Sequence, residues 1–519
     1  VSNKVLLVIL DGIGLSGQEK GNAPLLAKTP TLDFVYSNYP KTSITASGLE
    51  VGLSEGEPGN SEVGHLSLGS GRVIWENLPL IDQSIQSGDF ANKKALVELF
   101  EKTKKNDSNL HLIGLISDGG VHSHIRHVFA LIEAAAKNNV KNVYIHFISD
   151  GRDTGAQVAE GFVDQLEAAF KKFGIGKIAT MIGRYFSMDR DKNWDREKKA
   201  FDLFVENVGE KYPDAKAALQ ANYKNGKNDE NIEPSVIGEG GVVKENDSVI
   251  FFNHRSDRSR QMLSLFTGAM NSKIPDNLTI ATMTEYEKGQ KALVIFEPTE
   301  AKNTLSEIVS NKNMTQLHTA ETEKYAHVTY FFKAGREELF PGEKDIVVPS
   351  RKSPTYDKIP EMSAPQVTKE VIGAINKEVN FIVVNFANGD MVGHTGVLES
   401  AIKACEALDS CLAEILPIAS EKAYKVILTA DHGNCEYMID DSGEPNKEHT
   451  CNPVPFVFLD FEKKPYQFTE TALAQADYIQ YAIGTPIGVL ADVAPSVLAN
   501  LGLEKSAEMT GMDLTVAMI

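Results

Sequence analysis

A chain of 519 residues exceeds what one ordinary hydrophobic core organises, so more than one domain is expected. With 42% hydrophobic and 24% charged residues it reads as globular, and a formal net charge of −19 makes nucleic acid and anionic membrane surfaces poor partners. The four cysteines, Cys405, Cys411, Cys435 and Cys451, form no CxxC pair, which argues against a disulfide scaffold and suits a reducing cytoplasm.

The first element is the apolar run VLLVIL, Val5 to Leu10, which ends at Asp11. It is too short for a signal-peptide core, and no run approaches the length of a membrane span. Gly12, Gly14 and Gly17 after it spell G-x-G-x-x-G, but Gly21, Pro24 and Pro30 interrupt the helix that a dinucleotide fingerprint needs. The stretch EPGNSEVGH, Glu57 to His65, places Ser61 in a Pro-Gly-Asn turn, as a helix cap or as a nucleophile. A capping box is ruled out, because Gly64 stands where Glu or Gln is required. IWENLP, Ile74 to Pro79, reads as a linker.

Five further runs, LHLIGLISDGG, NVYIHFISDGRD, IATMIGRY, SVIFFNHRSDR and FIVVNFANGD, repeat the theme of a β-branched strand ending in a polar turn, as does KVILTADHGN. Helical patterns fall between several of them: HVFALIEAAAKNN, GAQVAEGFVDQLEAAFKKFG with Gly174 as its stop, PQVTKEVIGAIN, and LESAIKACEALDSCLAEIL. FEPTE, Phe296 to Glu300, is a second candidate linker. The alternation predicts an α/β fold with mostly parallel sheets flanked by helices. Ligands then bind beyond the carboxyl ends of the strands, where Asp11, Asp118, Asp150, Asp390 and Asp431 fall.

Eight of the eleven arginines lie between Arg126 and Arg260: Arg126, Arg152, Arg184, Arg190, Arg196, Arg255, Arg258 and Arg260. In an acidic chain such a cluster points to a small-anion pocket or to ordinary surface ion pairs. The cluster HSHIRH is too loosely spaced for a metal and reads as surface or substrate-facing histidines. Asp390 and His394 are spaced i, i+4 and can face one point of a helix. Asp431 and His432 are adjacent and converge only in a turn beyond the strand, before Gly433. Mixed Asp and His donors suit Mn²⁺, Zn²⁺ or Co²⁺, with carboxylate tilting toward Mn²⁺.

The ordered set GNSEVGH, SDGGVHSH, SDGRDT, GRYFSMDRD, ETEKYAHVTYFF, MVGHTG, TADHGN and HTCNPVP resembles cofactor-independent phosphoglycerate mutase, a family of the alkaline phosphatase superfamily. The resemblance runs from Val5 to beyond Pro455. It implies interconversion of 3-phosphoglycerate and 2-phosphoglycerate in glycolysis and gluconeogenesis through a phosphoserine, without bisphosphoglycerate. It implies Ser61 as nucleophile, and Asp390, His394 and His449 as ligands of one divalent metal. Asp11, Ser61, Asp431 and His432 would hold a second. Mn²⁺ is favoured, with Mg²⁺, Co²⁺ and Zn²⁺ as alternatives. The substrate residues it implies are His122, Arg152, Asp153, Arg184, Arg190, Arg255, Arg258 and Lys324, with Asp153 as acid/base and Lys324 adding charge at the phosphoryl group. His65 is absent from that set.

Because the metal ligands lie at both ends of the chain, the expected layout is discontinuous. A metal-binding domain of residues 1–76 and 299–519 would carry an inserted Arg-rich domain of residues 77–298, with hinges at 74–79 and 296–300. A cytoplasmic monomer acting on small molecules, with no nucleic-acid or membrane partner, is expected. Two departures from the family pattern are local: Gly389 where Pro is expected, which loosens that turn, and Glu57-Pro58 where Gln-Met is common. Cys435 and Cys451, beside ligand positions, read as buried inert thiols or as points of oxidation. The competing readings are a phosphopentomutase or metal phosphomonoesterase, which shares the metal ligands but not the arginines, and a silent metal- and anion-binding protein.

Overall fold

Val5–Leu10 is buried on both faces, as a strand must be when helices cover both sides of its sheet. It runs parallel to Phe381–Phe386 on one side and to Lys425–Thr429 on the other. The register pairs Leu10 with Phe386 and Ile9 with Thr429, so Asp11, the turn before Asp390, and Asp431 emerge together at one sheet edge. The structure, a computed structural model, describes residues 3–239, 241–298, 301–470 and 473–516.

The chain divides into two compact units, Val1–Trp75 with Glu300–Ile519, and Glu76–Thr299. The eight-stranded sheet of the first unit runs Glu343–Val348, Gln316–Glu321, Phe381–Phe386, Val5–Leu10, Lys425–Thr429, Val454–Asp460, Lys41–Thr45, Gly488–Val489. It is parallel except around Val454–Asp460, which is antiparallel to both neighbours. That strand begins within the HTCNPVP segment, at Val454, so reversing the chain there brings His449 back to the edge that carries Asp11 and Asp431.

The sheet of the second unit runs Leu293–Phe296, Thr279–Thr284, Ser248–Phe251, Leu110–Ile116, Val143–Ser149, Lys177–Gly183, Ser235–Ile237, Glu210–Tyr212. It is parallel except where Lys177–Gly183 meets Ser235–Ile237. Ile116 pairs with Ser149, and Ser149 with Gly183. The same register logic therefore gathers Ser117, Asp150–Asp153 and Arg184 at one edge. The α/β expectation with mostly parallel sheets holds.

Local details differ from the sequence reading. The stretch read as a first linker, 74–79, ends inside the helix Asn77–Gln86, where Pro79 is tolerated in the first turn. Phe296 closes a strand, and residues 299 and 300 of the second linker lie outside the described residues. The helix Leu398–Glu421 continues past Pro417, five residues beyond the end of the helical pattern at Leu416. Only one N–H is lost there; Lys422 N–H still donates to Ile418 O at 3.0 Å and Ala419 is buried. Gly174 ends the helix Ala159–Phe173 with φ of 72°. Among the described residues, no helix is long and apolar enough to cross a membrane.

Candidate active site

Asp390 lies in the short helix Asn388–Gly393, and the turn of that helix carries His394 back onto it, Nε2 to Oδ1 3.2 Å. His449 Nε2 joins them, 3.1 Å from Asp390 Oδ1 and 3.0 Å from His394 Nε2. Asp11, Asp431 and His432 form a second, fully buried group; His432 Nε2 is 3.6 Å from Asp11 Oδ1 and from Asp431 Oδ2. Each group could hold a metal ion. A third, His318 with Glu343 and Asp345, is already met by the buried ammonium of Lys333, 2.6 Å from Glu343.

The donor chemistry fits divalent cations. His394 Nδ1 faces Lys447 O at 2.6 Å, His449 Nδ1 faces Gly59 O at 2.8 Å, and His432 Nδ1 faces Gly433 O at 3.2 Å. A carbonyl only accepts, so each Nδ1 carries the proton and each Nε2 presents a lone pair inward. Of three buried carboxylates, Asp11 and Asp390 share the one ammonium, Lys324, and Asp431 lies beside His65, so the site has room for more positive charge.

Lys324 Nζ lies 2.7 Å from Asp11 Oδ1, 2.7 Å from Asp390 Oδ2 and 2.5 Å from Ser61 Oγ, bridging both groups. Burial alone would lower its pKa, but Asp11, Asp390 and Asp431 outweigh that and raise it. Burial, then Asp431, pushes Asp11 up to about 6. Burial also works against the ionised Asp390, yet Lys324, His394 and His449 hold it well below the usual carboxylate range. Lys324 sits 2.7 Å from both carboxylates, so their opposite shifts come from the rest of their surroundings: Asp431 lies beside Asp11, whereas His394 and His449 hydrogen-bond Asp390.

Ser61 is the first residue of the helix Ser61–Ser70. Its neighbour Asn60 is the cap, accepting Val63 N–H at 2.9 Å, so Ser61 is spared that task. Its Oγ accepts from Lys324 and lies 2.8 Å from His432 Nε2, to which the hydroxyl donates. The hydroxyl is therefore oriented, polarised and set at a helix N-terminus suited to phosphate.

In the second unit Arg184, buried, donates from Nη1 to Asp150 Oδ1 and Asp153 Oδ2, both at 2.6 Å. His122 is also buried, 4.0 Å from Asp153 and 3.6 Å from Asp257; burial, then Arg184, lowers its pKa to about 4. Arg190 and Arg255 reach Asp257 at 3.4 and 3.1 Å. Arg258 donates to Met188 O at 3.0 Å, and Arg152 lies 3.8 Å from Glu230. Three of the eight clustered arginines do other work: Arg126 pairs with Asp82, Arg196 stacks on Tyr185, and Arg260 donates to Tyr286 O. Lys324, grouped with the arginines on the sequence, belongs to the other unit and bridges the two metal-type groups.

Several expectations are corrected. His65, set aside on the sequence, is fully buried in the site, with Nδ1 3.2 Å from Asp431 Oδ2 and Nε2 3.0 Å from Asn385 Nδ2. Asn385 also donates to Asp11 Oδ2 at 2.6 Å, and Asn434 to Asp390 Oδ1 at 2.9 Å. Of the HSHIRH histidines, His127 is neither surface nor substrate-facing; it is buried against Asp82. Gly389 does not loosen a turn, since it lies within a helix and an added Cβ would sit 2.6 Å from Asp11 O. Cys435 is buried, with the neighbouring Cys405 and then burial raising its thiol pKa, but Cys451 is exposed.

A family model described as BPG-independent PGAM N-terminus matches residues 81–288. A 2,3-bisphosphoglycerate-independent phosphoglycerate mutase of Clostridium novyi is 46% identical, covering 98% of this chain and 99% of its own. That of Listeria innocua is 45% identical over 98% of each chain. The phosphoglycerate mutase of Leishmania mexicana, crystallised at low cobalt concentration, is 29% identical with a TM-score of 0.57, covering 99% of this chain and 97% of its own. With identity of this order sustained along nearly its whole length, the chain belongs to the 2,3-bisphosphoglycerate-independent phosphoglycerate mutase family.

Proposed function

We propose that this chain interconverts 3-phosphoglycerate and 2-phosphoglycerate through a phosphoserine at Ser61, as a cytoplasmic monomer of glycolysis and gluconeogenesis. The observation that carries the reading is Ser61 Oγ at a helix N-terminus, 2.5 Å from Lys324 Nζ and 2.8 Å from His432 Nε2, beside two groups of metal-type donors. Asp390, His394 and His449 would hold one Mn²⁺, and Asp11, Asp431, His432 and Ser61 the other. When bound, these cations offset the carboxylates, acidify the serine hydroxyl and stabilise charge on the transferring phosphoryl oxygens.

Arg152, Arg184, Arg190, Arg255 and Arg258, with His122, hold the carboxylate and phosphate of the substrate. Ser61, whose hydroxyl proton would go to solvent when its oxygen ligates a cation, bonds through Oγ to phosphorus while the bond from phosphorus to the 3-oxygen breaks. Asp153 gives that oxygen its proton. Glycerate reorients, its 2-hydroxyl returns a proton to Asp153 and bonds to phosphorus, and the Ser61 oxygen leaves. Lys324 and the N–H groups of the Ser61 helix meet the phosphoryl oxygens. Water must be kept out while the phosphoserine lasts, or hydrolysis competes.

The test is conversion of 3-phosphoglycerate with Mn²⁺ and no bisphosphoglycerate, for the wild type and Ser61→Ala. Conversion in the wild type and none in the variant is expected. Activity surviving in Ser61→Ala overturns the nucleophile assignment.

A further inference from the structure

Glu436 is a fully buried carboxylate outside both metal-type groups, and its hydrogen bonds among the described residues go to none of their members. Four donors converge on it. Its Oε2 accepts Gly14 N–H at 3.0 Å and Asn434 N–H at 2.8 Å. Its Oε1 accepts the Thr450 hydroxyl and Asn452 Nδ2, the latter at 2.9 Å. Gly14 lies three residues after Asp11, Asn434 two after His432, and Thr450 one after His449. One side chain thus fastens three separate loops, and those loops carry donors of both groups.

The packing around it is correspondingly close. A Cβ on Gly14 would sit 2.4 Å from Glu436 Cδ, and one on Gly433 would sit 2.4 Å from Glu436 Oε1. Glycine at both positions lets the Asp11 and His432 loops press against the carboxylate. Four lone-pair directions meet four donors, an arrangement only a carboxylate satisfies. A glutamine would present an NH₂ to one pair of donors and leave both unmet.

We propose that Glu436 is a positioning residue that fixes the spacing between the two metal-type groups, and so between two bound cations. The inference rests on the two-cation reading above. Groups that orient metal ligands from behind typically change metal affinity tenfold to a hundredfold when replaced, and here the effect falls on both groups at once.

The experiment uses the full chain and Mn²⁺ alone as probe, without substrate. Mn²⁺ affinity and stoichiometry are measured by titration, and electron paramagnetic resonance reports whether two ions are spin-coupled. In the wild type, two equivalents giving a coupled spectrum are expected. In Glu436→Gln, one or both affinities fall at least tenfold and the coupled spectrum is lost or altered. Thr450→Val removes one donor to Glu436 and is expected to give the same change in smaller measure, about threefold; it carries the test should Glu436→Gln fail to fold. Wild-type affinities and an unchanged coupled spectrum in a folded Glu436→Gln, or in Thr450→Val where only that variant folds, overturn the inference alone. A wild type without a coupled Mn²⁺ pair overturns the two-cation reading together with it.

Discussion

His394 and His449 meet Nε2 to Nε2 at 3.0 Å, while the Nδ1 of each is tied to a main-chain carbonyl. Two neutral rings held this way aim lone pairs at each other, an arrangement that repels unless a cation or a proton lies between them. Asp390, near both Nε2 atoms, adds a carboxylate oxygen to the same point.

Metal removal is therefore expected to abolish activity. Dialysis against a chelator is expected to leave no measurable conversion of 3-phosphoglycerate, and Mn²⁺ to restore it. Free Mn²⁺ at about 100 times its dissociation constant adds about 2.7 kcal/mol of stability, visible as a higher midpoint of thermal unfolding. His449→Ala should bind one equivalent less by elemental analysis. A chelated protein with full activity contradicts the metal reading.

Lys324 predicts a change of opposite sign. Its ammonium repels cations and also compensates Asp11 and Asp390. Lys324→Met should lower kcat by about 10²–10³-fold, the scale of one lost electrostatic stabiliser. The same variant should bind Mn²⁺ more tightly than the wild type, because a neighbouring positive charge is gone. Its metal-free form should lose about 3–5 kcal/mol, since buried carboxylates lose their partner. A fall in Mn²⁺ affinity would instead make Lys324 a scaffold for the donors.

Much of this site was legible in the sequence because strand-then-Asp punctuation is local. Asp11 and Asp431 follow parallel neighbouring strands, and Asp390 with His394 needs only one helical turn. Ser61 was visible as a cap or a nucleophile, with the resemblance favouring the second, and the ligand role of His449 came only through the resemblance, since it depends on an antiparallel strand that no periodicity announced. Asn385 and Glu436 left no signal at all, and His65 was visible only as a histidine four residues after Ser61, with no sign of Asp431 or Asn385 as its partners. Asn385 meets His65 across 320 residues and Glu436 meets Gly14 across 422, so only the folded registers bring them together. The arginine cluster was legible as a cluster, but composition could not separate Arg184, buried on two carboxylates, from Arg126 on the surface.

Arg184 gives a specificity test within the second unit. One nitrogen serves Asp150 and Asp153, which leaves the rest of the guanidinium for an anion. Arg184→Lys keeps the charge and loses the fork. One charge-assisted hydrogen bond is worth about 1.5–3 kcal/mol, so KM should rise about tenfold to a hundredfold. Mn²⁺ stoichiometry should not change. An unaltered KM would place the substrate anion elsewhere.

The last prediction concerns acid. A buried row crosses the second sheet: His111 Nε2 to Asp247 at 3.1 Å, His111 Nδ1 to His146 Nε2 at 3.0 Å, and His146 Nδ1 to Thr180 Oγ1 at 2.8 Å. Burial, then His111, holds the His146 pKa well below that of a free imidazole, and burial lowers His111 despite Asp247. Above about pH 6.5 both folded and unfolded chains keep His146 neutral, so it adds no pH dependence. Below that the unfolded chain takes up a proton that the folded chain refuses. Stability then falls by up to about 1.4 kcal/mol per pH unit for this one group, until the folded pKa is reached. Trp75 and Trp194 are the two tryptophans, one in each unit, so in a Trp75→Phe background Trp194 fluorescence follows unfolding of the second unit. Urea unfolding at pH 7, 6 and 5 should show the loss, and His146→Gln should reduce its slope by about one proton's worth. An equal slope in both proteins would mean that His146 takes its proton in the folded state, and that the buried row tolerates a charge.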